Sequence, residues 1–196
     1  MRHALIAATL AVGFTTAALA ASTLAYTTDY ATYDVHGTTA SELLADMNRH
    51  PIDDPDSGHA YANITHRHDL QLATTEVGGQ CTVSRLTFTW HFLITTPVAP
   101  ADDQLSNRTR MAWRNFTVAL TRHEERHRQI FLDCGQDFVA AAGRLTAPQC
   151  TALTAEVKSL IDVRYDACMD KQREFDAKDT PRILAMPFIK DALAGK

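Results

Sequence analysis

The ten residues Arg85–Ile94, RLTFTWHFLI, alternate between two characters. Leu86, Phe88, Trp90, Phe92 and Ile94 fall on one side, and Arg85, Thr87, Thr89, His91 and Leu93 on the other. Successive side chains of a strand point to opposite faces, so this pattern is a half-buried strand with its apolar face against a core. Pro97 and Pro100 are expected to end it. Upstream, beyond a turn at Gly78-Gly79, residues Ala60, Ala62, Ile64, His66, His68, Leu70 and Leu72 alternate with Tyr61, Asn63, Thr65, Arg67, Asp69 and Gln71. This second strand is expected to pair antiparallel with the first.

Further upstream, Tyr26–Val35 is rich in Tyr and Thr and reads as another strand. Thr39-Ala40-Ser41-Glu42 fits a capping box, in which a hydroxyl and a carboxylate satisfy the free backbone N–H groups of a helix start. It opens a helix through Leu43, Leu44 and Met47 that stops near His50-Pro51, and Ile52–Gly58 is dense in turn formers. Downstream, the period becomes helical from about Ala101. Residues 105–145 hold one long helix or two shorter ones, Ala147-Pro148 makes a break, and a further helix runs from about Gln149 to Phe175. The tail beyond Pro181, with Pro187, is expected to be a weakly structured return. Strands followed by helices predict an α+β fold, a small antiparallel sheet packed on a helical pair, in one domain over residues 21–196.

The N-terminus has the layout of an export signal. Met1-Arg2-His3 gives a positive start, Ala4–Ala20 is uncharged, and Ala18-Leu19-Ala20 supplies the small residues that a signal peptidase reads. With cleavage after Ala20, residues 1–20 are the signal peptide and no membrane span remains. The expected location is a periplasm or the extracellular space. The formal charge is −4, and losing Arg2 makes it −5, which disfavours nucleic acid as a partner. In an oxidising compartment Cys81, Cys134, Cys150 and Cys168, which lack CxxC spacing, are expected to form two disulfides. Three pairings are open.

The chemistry concentrates in His123-Glu124-Glu125-Arg126-His127. On a helix, residues four apart share a face, so both imidazoles can aim at one metal ion, while Glu124, about 100° around, can reach a water beside it. Trp113, Phe116, Leu120, His123, His127, Ile130 and Cys134 recur at spacings of three and four, which places both histidines on the apolar stripe. Imidazoles turned inward need partners to offset their desolvation. Zinc is the expected cofactor, with His123 and His127 as ligands and Glu124 as general base for metal-assisted hydrolysis.

The mature sequence resembles the bacterial domain-of-unknown-function family number 922, whose members are described as predicted secreted zinc-dependent proteases. The resemblance lies in the early Tyr-rich segment leading to Val35-x-Gly37, in Glu42-Leu43, in Gly79-x-Cys81-x-Val83, and in Trp113 and Phe116 ahead of His123–Arg128. It implies a zincin-like protease acting on a peptide or protein. The family pattern ends in an aromatic-Asp pair followed by Thr-x-His-Gly. Phe175-Asp176 matches the pair, whereas Asp179 and Pro181 occupy the Thr and His positions, and no histidine follows His127.

A catalytic zinc needs a third protein ligand. Asp176 is the first candidate because it belongs to the matched pair, and Asp166 is the second. Asp133, six residues past His127, would lie on another face of an unbroken helix. His66 and His68 share a strand face and could touch a metal, but read better as exposed strand histidines. Tyr165 could donate to an oxyanion if its helix packed over the site. Two rival readings stay open: a zinc-binding protein without catalysis, and a metal-free structural or adaptor domain. Substrate specificity and oligomeric state are not encoded in these patterns.

Overall fold

The structure is a computed structural model, described over residues 21–52 and 60–195. The expected signal peptide, most of the loop after Ile52, and His59 lie outside the described residues.

Among the described residues, four strands and four α-helices follow in the order β1 (Ala21–Asp34), α1 (Ala40–Arg49), β2 (Asn63–Val77), β3 (Gln80–Val98), α2 (Asn107–Ala142), β4 (Thr146–Ala147), α3 (Cys150–Leu184) and α4 (Pro187–Leu193). The alternating stretch of the sequence is the middle of β3, and β3 is the central strand, in the order β1-β3-β2 with the short β4 beside its start. Leu86, Phe88, Trp90, Phe92 and Ile94 are all buried beneath the helices. Gly78 and Gly79 both adopt positive φ (58° and 77°), the conformation a two-residue hairpin turn needs, and β2 and β3 pair antiparallel across it. A register shift at Ala73/Thr74 leaves Ser84 as the extra residue on β3. That bulge lets Cys81 and Val83 face the same core as Leu86 and its successors, although their numbers have the opposite parity.

The fold is α+β as expected, with a sheet on a long helical pair, but the sheet is mixed. β1 runs parallel to β3, from Ala21 opposite Arg85 to Asp34 opposite Val98. A parallel pair needs a long connection, and here α1 and β2 supply it. Pro97 does not end β3. It lies past Thr95, the last β3 residue paired with β2, so β3 has only β1 beside it there. The Thr39 hydroxyl caps α1 by accepting from the Glu42 N–H, but the Glu42 carboxylate reaches Thr38, accepting from both its N–H and its hydroxyl.

α2 is one helix of 36 residues, and α3 continues through Pro181 to Leu184. The tail expected to be weakly structured is helical instead. α4 buries Phe188, Ile189 and Ala192 against α1 and the start of α2, with the Phe188 ring 4.8 Å from Phe116 and 5.1 Å from Trp113. Arg108 donates to both carboxylate oxygens of Asp191. This packing outweighs the local cost of the proline.

Two apolar cores result. One gathers Leu43, Met47, Trp113, Phe116, Leu120, Ile183 and Phe188, and the other gathers Leu86, Phe88, Trp90, Phe92, Phe131, Phe138, Leu153 and Val157. α2 and α3 pass through both. Disulfides join Cys81 to Cys150 and Cys134 to Cys168, which settles the pairing left open by the sequence and ties α2 to α3.

If α4 is part of the core, Phe188→Ala should cost about 3–5 kcal/mol, the range for a fully buried Phe. Urea denaturation measures it, and a midpoint equal to that of the wild type would return the tail to a loose segment.

Candidate metal centre

Between the two cores the contact of α2 with α3 turns polar. On α2 the interruption is His123, Glu124 and His127, and on α3 it is Gln172, Asp176 and Asp179. The α3 residues continue a stripe of three- and four-residue spacings from Cys168 to Ile183, which is why they meet the α2 histidines. Glu124, His127 and Gln172 are buried, and the His123 side chain is 12% exposed.

Three ligand-type atoms converge. Asp176 Oδ1 lies 3.1 Å from His123 Nε2 and 2.9 Å from His127 Nε2, and the two imidazole nitrogens are 3.0 Å apart. His123, His127 and Asp176 thus form a group that could hold a metal ion. The Phe175 ring lies 4.8 and 4.9 Å from the two imidazoles and covers them on the α3 side.

Hydrogen bonds settle which nitrogens carry protons. The Gln172 Nε2 amide donates to the His127 carbonyl at 3.1 Å, so its Oε1 must accept from His127 Nδ1–H, 2.7 Å away. Asp179, held as a carboxylate by Arg182, can only accept, so His123 Nδ1 donates to its Oδ2 at 2.9 Å. In neutral imidazoles both Nε2 atoms are then lone pairs, and they face each other and a carboxylate oxygen. Only a cation resolves that arrangement, either a metal ion or added protons.

The electrostatics agree. Burial pulls both imidazolium forms down, yet the hydrogen bonds of His123 to Asp176 and Asp179, and of His127 to Asp176 and Gln172, together with the Asp176 and Glu124 charges, leave both histidines above the ordinary value of 6.5. Burial pushes Asp176 up, but its bonds to His123 and His127 prevail and hold it well below the usual carboxylate range. Asp179 is lowered first by its bond from Arg182.

A zinc ion fits this donor set. Its ligand bonds of about 2.0–2.1 Å put tetrahedral donors about 3.3–3.4 Å apart, so the three atoms need spread only slightly. Two imidazoles and one carboxylate suit zinc, and three protein ligands leave a fourth position free.

The sequence pattern of DUF922, a bacterial protein family of unknown function, matches residues 30–181. The chain belongs to this family. No curated protein and no solved structure matches it. The match runs from β1 into the last turn of α3, so His123, His127 and Asp176 all lie within it.

The other candidates in this DUF922 chain fall elsewhere. Asp133 is exposed and accepts from Gln129, and Asp166 is exposed on α3, outside the metal group. The Tyr165 hydroxyl is 3.2 Å from His66 Nε2, not over the site. His68 is an exposed strand histidine as expected, its ring beside Phe88 and Trp90, whereas His66 is half-buried against Trp90 and Phe131. Glu125 and Arg126, inside the motif, point away from the metal group. Glu125 bonds the Tyr30 hydroxyl and Arg128, and Arg126 is exposed. Gln172, Asp179 and Arg182 were not anticipated from the sequence. Their one signal was the placement of Gln172 and Asp179 on the stripe that carries Cys168.

The raised imidazoles have a measurable sign. Without metal, they contribute stability that is fully present below the unfolded value near 6.5 and lost as pH rises through the raised folded values. Metal must displace those protons, so loaded protein should show the reverse trend, its affinity weakening as the pair protonates. Thermal melts with and without metal across pH 6 to 9 should therefore diverge as pH rises. Parallel curves would remove the histidine pair from the metal site.

Proposed function

We propose that this protein is an exported zinc-dependent metallopeptidase. The convergence of His123 Nε2, His127 Nε2 and Asp176 Oδ1, with both Nδ1 protons committed elsewhere, carries the reading. Zinc, when bound, supplies a Lewis acid that polarises an amide carbonyl and makes water acidic enough to attack at neutral pH. His123, His127 and Asp176 would hold it.

Glu124 is the general base. It follows His123 on α2, is 4% exposed, and its charge acts on both imidazoles, so it lies within electrostatic reach of the metal group. Its carboxylate takes the proton of the attacking water and passes it to the leaving amine. A peptide or protein is the substrate class, in keeping with the HExxH pattern. Pairing of all four cysteines favours an oxidising location, periplasmic or extracellular, and among the described residues no helix is long and apolar enough to cross a membrane.

One observation supports a second reading, zinc binding without catalysis. Phe175 covers the imidazoles, and the side chains of His123 and His127 are only 12% and 10% exposed. Asp176, at 40%, is the most open of the three ligands.

Purified mature protein should carry close to one zinc per chain, lost in His123→Ala and His127→Ala. Glu124→Gln should keep the zinc and lose about 10²–10⁴-fold in hydrolysis of a denatured protein substrate. A wild type that binds zinc and cleaves nothing selects the second reading, and one that binds no zinc under metal-replete conditions overturns both.

A further inference from the structure

The two histidines are backed unequally. Behind His127 stands a neutral amide, Gln172, whose oxygen and nitrogen are both in use on that one residue. Behind His123 stands a carboxylate, and behind that a guanidinium. Arg182 Nε donates to Asp179 Oδ1 at 2.7 Å and its Nη2 to Oδ2 at 2.8 Å, while Oδ2 also accepts from His123 Nδ1–H.

We propose that Asp179, clamped by Arg182, is the positioning residue that fixes His123 as a metal ligand, so that Arg182, Asp179 and His123 act as one unit. The proposal rests on the metal-site reading above. Three observations carry it. Asp176 and Asp179 lie one turn apart on α3 and hold opposite nitrogens of the same ring, Nε2 and Nδ1. A flip of the imidazole would break both bonds, so the ring has one orientation. The Asp179 side chain is only 17% exposed and that of His123 12%, so water competes poorly for the bond between them. Finally, the two-pronged contact from Arg182 removes the freedom of Asp179 to follow another rotamer.

The charge pattern adds chemistry to geometry. An Nδ1–H that donates to a carboxylate leaves more electron density on Nε2 than one that donates to an amide, so His123 is the stronger donor of the pair. Arg182 draws part of that charge off Asp179 and moderates the effect. A surface pair such as Arg182 with Asp179, with Arg182 55% exposed, contributes little to folding by itself. Its role is therefore visible in metal affinity rather than in the stability of the metal-free chain.

Competition for zinc between a chromogenic chelator and the full mature protein tests this. Asp179→Ala should bind zinc about 10–100-fold more weakly than wild type. Asp179→Asn, whose oxygen can still accept from Nδ1–H, should recover part of that loss. Arg182→Gln should weaken zinc binding less than Asp179→Ala while its metal-free form melts as the wild type does. Nitrogen NMR of the imidazoles supplies a readout that general destabilisation would not move: in Asp179→Ala, His123 loses its fixed Nδ1–H tautomer and His127 keeps its own. If Asp179→Ala fails to fold, Asp179→Asn and Arg182→Gln carry the comparison. Variants that bind zinc as tightly as a zinc-binding wild type overturn the positioning role and leave the metal site standing. A wild type that takes up no zinc overturns both.

Discussion

Two imidazole nitrogens and a carboxylate oxygen lie within 3.1 Å of one another, with the other imidazole protons already committed to Gln172 and Asp179. Three lone pairs cannot share that space without a positive charge among them. The constraint is electrostatic, but the fold enforces it. His123 and His127 come from α2 and Asp176 from α3, so the relative register of two long helices decides whether the atoms meet. The Cys134–Cys168 disulfide fixes that register seven residues past His127 and eight before Asp176, about two helical turns from the site on either helix. On the other side, Ile183 and Phe188 anchor the end of α3 and α4 in the core that also holds Trp113 and Phe116.

The site is thus a polar gap between two apolar cores, suspended from both. Burying Glu124, His127 and Gln172 would be costly if their hydrogen bonds were left unmade. Gln172 shows how the cost is offset. An amide is the side chain that can donate to the His127 carbonyl and accept from its Nδ1–H at once. A glutamate there would set an oxygen against the carbonyl, and a leucine would leave the Nδ1–H without its acceptor. The residue is fixed by the bonds of a single histidine, with no direct part in holding a metal.

Much of this was legible in the sequence, for reasons that are local. The alternation from Leu86 to Ile94 gave β3, Gly78-Gly79 gave the hairpin, and the stripe from Trp113 to Cys134 turned both histidines inward. Each is a property of neighbouring residues on one element. What stayed hidden depends on elements far apart in the chain. The parallel pairing of Ala21–Asp34 with Arg85–Val98 spans more than one intervening element, and periodicity carries no partner or direction. The cysteine pairing was undetermined for the same reason. Pro181 and Pro187 pointed to a loose tail because local propensity counts the lost N–H and not the burial of Phe188. Asp179 and Arg182, on a charged and largely exposed turn, look like an ordinary solvated pair until His123 is placed against them. Asp176 was reachable only through the aromatic-Asp resemblance, since its helical spacing singles out no metal.

The exposure of the ligands gives the site a direction. His123 and His127 are covered by Phe175 and their own helix, while Asp176 is the most open of the three and sits on α3. The most open of the three groups is thus the one that α3 supplies. Glu124, by contrast, is buried, on the face of α2 seven residues before Phe131 and hence turned toward the sheet core that Phe131 enters. Of the three carboxylates about the imidazoles, Asp179 is taken up by Arg182 and His123 Nδ1, and the other two divide by environment. The open one, Asp176, is committed to the imidazoles and kept ionised by them. The buried one, Glu124, is not among the three converging residues. Their separate surroundings follow from which helix, and which face of it, each residue occupies, and they suit the roles proposed above, Asp176 as ligand and Glu124 as base.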